Sequence, residues 1–218
     1  MNEDQARDEM ARVGESLFNR GYVHATAGNI SQRLNDGYLI TPTDACLGFL
    51  DPSRLAKVAL SGQQLSGDPA SKTLALHRKI YESAPAAGCV IHTHSTHLVA
   101  LSLAGVWTPG DILPPITPYF VMKVGHVPLI PYHRPGDPKV AELVATRIAL
   151  AEQIGKPLHA VMLDRLGPNV WHKTLAQAMA VLEELEATAR IWLLSGRNIE
   201  PLSSAQLDEL RSSFGAPW

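Results

Sequence analysis

Apolar residues recur at helical steps near the start of the chain. Ala6, Met10, Val13 and Leu17 form one stripe, which predicts a helix over Glu3–Asn19 closed by Arg20-Gly21. The pattern then shifts to short β-rich runs. Ile30–Leu34 and Tyr38–Thr41 flank Asn35-Asp36-Gly37, a hairpin signal, and Leu55–Leu60 reads as a further strand. Ser61-Gly62 and Ser66–Pro69 read as turns. Ser71 is suited to cap a helix over Lys72–Ser83, which Pro85 stops. A strand from Cys89 and a helix over Thr96–Leu103 follow. Trp107–Pro118 reads as loop, Tyr119–Gly125 as a short helix or turn, and Val127–Ile130 as an edge strand because of Pro128. The loop Tyr132–Asp137 caps a helix over Pro138–Gln153. Strands at Leu158–Leu163 and Asn169–Trp171 precede a long helix, Thr174–Leu194, and a last one, Ala205–Ser213, capped by Ser203. Strands alternate with helices and the hairpin is antiparallel. The expected fold is a single three-layer α/β/α domain, residues 1–218, around a mixed, largely antiparallel sheet.

The strand from Cys89 carries the first candidate chemistry. In Val90-Ile91-His92-Thr93-His94, strand alternation sends both imidazoles to one face, with Cα atoms roughly 6.5–7 Å apart. Two such rings can converge on one ion. Spacing alone leaves open two ordinary hydrogen-bonded or solvated histidines.

A second candidate is an anion site. Gly28 permits close approach of backbone, Asn29, Ser31 and Thr43 can donate, and Ser71 opens a helix with Lys72 beside it. This requires three separate segments to meet. The chain has neither a Gly-x-x-x-x-Gly-Lys phosphate loop nor Gly-x-Gly-x-x-Gly, which disfavours nucleotide phosphate. Without Gly-x-Ser-x-Gly it also lacks a nucleophile elbow.

Bulk properties narrow the picture modestly. A hydrophobic content of 45% with 18% charged residues is globular, and a net charge of −2 implies no general attraction to nucleic acid or anionic membrane. The two cysteines, Cys46 and Cys89, make no disulfide framework, and the N-terminus lacks an apolar leader. A cytoplasmic setting is expected.

Taken together, these segments resemble the class II aldolase/adducin family. Thr-Ala-Gly-Asn-Ile-Ser at 26–31 and Ile-Thr-Pro-Thr at 40–43 are similar to its first two phosphate loops. Ser71-Lys72 is similar to the third, and Val-Ile-His-Thr-His-Ser at 90–95 to its metal strand. Pro-Ile-Thr-Pro-Tyr-Phe-Val-Met-Lys-Val-Gly at 115–125 and Pro-Tyr-His-Arg-Pro-Gly-Asp at 131–137 most resemble its 3-oxo-tetronate 4-phosphate decarboxylases. The resemblance implies a homotetramer, a divalent metal, usually zinc, held by His92 and His94, and a phosphorylated sugar acid held by Thr26, Gly28, Asn29, Thr43, Ser71 and Lys72. Tyr119 falls at the catalytic tyrosine. The implied chemistry is C–C bond cleavage, by decarboxylation or by aldol cleavage.

Two positions depart from the family pattern. Its acid/base glutamate is Thr73 here, and the third metal histidine, in an Asn-His-Gly turn, is Leu166. Neither replacement supplies a carboxylate or an imidazole. Decarboxylation tolerates the first loss better than aldol cleavage, since no hydroxyl proton must be removed. A third expectation is a non-catalytic binding or assembly module that keeps only the fold.

Overall fold

A computed structural model describes residues 2–218. Eight strands form one sheet: β1 (Asn29–Arg33), β2 (Gly37–Ile40), β3 (Ala56–Ala59), β4 (Gln64–Ser66), β5 (Cys89–His92), β6 (Leu129–Ile130), β7 (Ala160–Leu163) and β8 (Gly167–His172). Their order is β4-β3-β2-β1-β5-β8-β7-β6. Every neighbouring pair is antiparallel except β6 and β7. The sheet is therefore mixed and largely antiparallel, as expected, and β6 lies at an edge just after Pro128.

Seven α-helices cover it: α1 (Glu3–Asn19), α2 (Leu74–Ser83), α3 (Thr96–Ala104), α4 (Pro118–Lys123), α5 (Pro138–Gln153), α6 (Leu175–Leu194) and α7 (Ser204–Phe214). Strand alternation divides the core in two. Ile30, Ile91 and Val170 face Met10 and Leu17 of α1 and Leu182 and Leu185 of α6. Val90, Val161 and Trp171 face Ile80 and Tyr81 of α2 and Val144 and Ile148 of α5. Adjacent residues of β5 and β8 thus feed opposite cores, which makes the architecture three-layered. No helix among the described residues is long and apolar enough to cross a membrane.

Three expectations change in detail, and two short turns are new. β4 lies between the expected turns Ser61-Gly62 and Ser66–Pro69 and takes Ser66 from the second; its three residues are all exposed at the sheet edge, so no alternation marks them. Short 3-10 turns at Leu47–Phe49 and Pro52–Arg54 were not anticipated. α2 starts at Leu74 with Thr73 at its cap, because the Ser71 hydroxyl turns back to the Thr73 hydroxyl at 2.8 Å. β5 ends at His92, so His94 lies beyond the strand, on the two-residue approach to Ser95, the cap of α3.

Candidate active site

Three adjacent strands place three buried polar side chains in a row. Asn29 of β1 pairs in register with His92 of β5, which pairs with Asn169 of β8. They are 7%, 5% and 1% exposed, and they face the α2/α5 side. Glycine lets the flanking loops close on this row. A Cβ at Gly28 would lie 2.8 Å from the His92 carbonyl oxygen, and one at Gly167 would lie 1.9 Å from that of Thr93. Both glycines also adopt positive φ, 84° and 139°.

His92 Nδ1 donates to the Pro168 carbonyl at 2.9 Å. A carbonyl can only accept, so the proton sits on Nδ1 and Nε2 is left as a lone-pair nitrogen. Burial holds the His92 pKa down at about 4, with His94 adding to the effect, so the ring is neutral at pH 7. The His94 ring lies 5.1 Å from it, centroid to centroid, and the exposed His24 lies 6.4 Å from His94 on the outer side. Beneath the row, His77 Nδ1 meets the Ser31 hydroxyl at 2.7 Å, and that hydroxyl meets the Tyr81 hydroxyl at 2.7 Å. Burial pushes His77 down to about 3 and Tyr81 up. Both amide atoms of Asn169, Oδ1 of Asn29 and Nε2 of His77 have no hydrogen-bond partner among the described residues. A buried polar group in that state costs roughly 1–3 kcal/mol.

His92 and Asn169 open into a cavity of about 170 Å³. Lys72 and Thr73 enter it from the start of α2, Leu166 from the β7–β8 turn, and His133 and Arg134 from the loop before α5. Asp137 fixes that loop. Its carboxylate accepts from Lys139 N at 3.0 Å, capping α5, and receives His133 Nδ1 at 3.2 Å. The Lys139 amide, followed by His133, holds its pKa below the ordinary value.

The three expected phosphate segments meet at this end of the sheet. Thr41 N donates to Ile30 O at 3.0 Å, and Ile30 N donates to the Thr41 hydroxyl at 3.2 Å. Pro42 and Ala70 form an antiparallel bridge, Thr43 N reaches Pro69 O at 2.9 Å, and the Thr43 hydroxyl donates to Ala70 O at 3.0 Å. Ser71 N reaches Thr41 O at 3.3 Å. Thr26 and Lys72 are exposed, Lys72 directly after Ser71. Tyr119 is not brought to the row. It is 63% exposed on α4 and lines a separate cleft with His159 and His172.

Thr73 and Leu166 both face the cavity that His92 faces, so the two departures from the family pattern alter one site. Catalytic zinc normally keeps three protein ligands. Here His92 and His94 converge without a carboxylate, and among the described residues no group of three or more His, Cys, Asp or Glu could hold an ion. Of the other histidines, His126 pairs with Asp111, His133 with Asp137, His97 with Glu186 and His77 with Ser31, and His159 stacks on His172, while His24 stands beside His94 with its ring 6.4 Å away. With His24 6.4 Å further out and no carboxylate beside them, His92 and His94 do not form a three-ligand metal centre among the described residues.

Residues 8–193 match the model of the class II aldolase and adducin N-terminal domain. The chain belongs to the class II aldolase and adducin family. Metal dependence is typical of that family. The 3-oxo-tetronate 4-phosphate decarboxylase of Cupriavidus necator is 56% identical over 223 residues, covering 99% of each chain. The enzyme of that name from Escherichia coli is 42% identical, over 96% of this chain and 97% of the relative. The crystal structure of Escherichia coli YgbL superposes with a TM-score of 0.86 at 42% identity, over 96% of this chain and 99% of the other. The protein is thus a homologue of carbon–carbon lyases.

Asn169, His24 and His77 belong to none of the motifs in the sequence. One signal existed for Asn169. Asparagine is depleted in strands, and here it stands just before Val170-Trp171. Nothing local marked His77, whose helical spacing reads as an exposed or core position alike.

Proposed function

We propose that the protein removes carbon dioxide from a 3-oxo-tetronate 4-phosphate. The observation that carries this reading is the 56% identity to the Cupriavidus necator decarboxylase across 99% of both chains. In such a substrate the C3 ketone lies β to the C1 carboxylate. When the C1–C2 bond breaks, its electron pair moves through C2 to the C3 oxygen. The products are carbon dioxide and an enediolate, and a proton then returns to C2.

In this reading Thr26, Gly28, Asn29, Thr43, Ser71 and Lys72 hold the phosphate. The joined loops supply polar side chains and Lys72 the charge. His92 lies against the carbon skeleton at the cavity. Tyr119 is the proton donor. In this reading it serves the site of a neighbouring copy in the homotetramer that the resemblance implies, which its distance from the row within one chain supports. A divalent ion, zinc by resemblance, would find only His92 and His94 here, and no step of this reading runs through it. Bound there, such an ion would supply Lewis-acid stabilisation of the enediolate. A cytoplasmic setting accompanies a role in sugar-acid catabolism.

Aldol cleavage fits less well. It needs a base to take a hydroxyl proton, and Thr73 stands where the family has that base. The test is carbon dioxide release from 3-oxo-tetronate 4-phosphates by purified protein, with an aldehyde trap in parallel. Aldehyde formation selects the aldolase reading. Phosphate-ester binding with neither product selects the binding-module reading.

A further inference from the structure

Asn169 is 1% exposed, and neither polar atom of its amide has a partner among the described residues, yet it lines the cavity. A buried amide left unpaired at both ends destabilises the fold, so its presence needs a reason outside the fold. Directly across the ladder, His92 presents Nε2 as an acceptor, because Nδ1 carries the proton bound to Pro168 O. Side chains of directly opposed residues start from Cβ atoms about 4.5–5.5 Å apart. The two therefore offer a donor and an acceptor side by side.

That arrangement complements a hydroxyl next to a ketone. We propose that Asn169 is a substrate-binding residue. Its Nδ2–H groups donate to the C3 oxygen as charge collects there, and His92 Nε2 accepts from the C2 hydroxyl. This hydrogen-bonding pair takes over the task of gripping two vicinal oxygens that the missing carboxylate and third imidazole leave without a metal centre. The inference rests on the decarboxylase reading above for the identity of the substrate. The electron pair of the broken C1–C2 bond ends on the C3 oxygen, which the amide stabilises, and no further reactant is needed.

The test compares wild type with Asn169→Val, and with the isosteric Asn169→Asp should the valine variant fail to fold by circular dichroism. Wild type dialysed against chelator should release carbon dioxide at its full rate. Asn169→Val should lose about 100-fold or more in kcat, the scale of one oxyanion donor, with a smaller change in KM. Its Tm should be equal or higher, because valine suits a buried strand and removes the unpaired amide. Binding of dihydroxyacetone phosphate, the three-carbon product, should weaken about tenfold, whereas glycerol 3-phosphate, which lacks the ketone, should bind unchanged. A full rate in Asn169→Val overturns the inference and leaves the decarboxylase reading intact. So does a wild-type rate lost on chelation and restored by zinc. A wild type that releases no carbon dioxide with or without zinc, yet binds dihydroxyacetone phosphate in an Asn169-dependent way, overturns the reading and keeps the inference.

Discussion

Glu186 of α6 holds the first turn of α3 through His97. Its Oε1 accepts from both the His97 backbone N–H at 2.9 Å and His97 Nδ1 at 2.8 Å, and its Oε2 accepts from Leu98 N at 3.0 Å. The carboxylate is buried at a helix N-terminus, where the backbone dipole and unpaired N–H groups favour negative charge. This contact fixes the segment that leaves β5 and carries His94.

Glu186→Ala should therefore destabilise the protein by about 3 kcal/mol, the scale of charged hydrogen bonds lost together. Urea denaturation reads the change. Glu186→Gln should cost less, since its amide oxygen still accepts. Equal stability of both variants with wild type would mean that α3 is held by other contacts.

Lys72→Met tests the phosphate reading. Lys72 is exposed, so its loss should leave Tm within about 2 °C. KM should rise about tenfold or more, with kcat little changed, and the effect should shrink as salt is raised. A rise in KM that ignores salt would point away from a charge–phosphate contact.

Tyr119→Phe should lower kcat by about 100-fold as a lost proton donor while the fold is unaffected, given its exposure. Mixing Tyr119→Phe with His92→Ala after dissociation and reassembly should recover part of the activity. Some composite sites would then hold one intact residue from each copy. No recovery in confirmed mixed oligomers would confine the site to one chain.

His159 predicts a pH dependence of stability. Burial, and next the His172 ring stacked on it at 4.7 Å, lower its pKa from 6.5 to about 4. Between those values the unfolded chain binds more protons than the folded one, so stability rises with pH. The contribution is complete above about pH 6.5, declines as pH falls towards 4, and flattens below. His159→Asn should flatten the denaturation midpoint across that window. An unchanged slope would assign the acid sensitivity to other buried groups.

Local signals account for most of the fold's legibility. The four-and-three-residue stripe places α1 at Glu3–Asn19, and Asp137-Pro138 marks the start of α5 because the cap and the proline act within one turn. β4 escaped because an exposed edge strand has no buried face to imprint alternation on it. His94 was read onto the strand because alternation alone carries no stop signal. The strand's end is set by pairing with β8, far along the chain. The candidate site divides in the same way. His92 and the three phosphate segments carry local signatures. Asn169 and His77 become notable only when β5, β8 and α2 come together around them.

The glycine contacts at positions 28 and 167 have a consequence for how this fold accommodates change. They press the approach to β1 and the start of β8 onto the end of β5, so the backbone there is set by glycine and not by the side chains next to it. Position 166, just before the second contact, behaves as a socket in a rigid frame. Its leucine faces the cavity beside His92 and Asn169. Change in a side chain that lines the cavity and retention of the scaffold are, in this architecture, separable events.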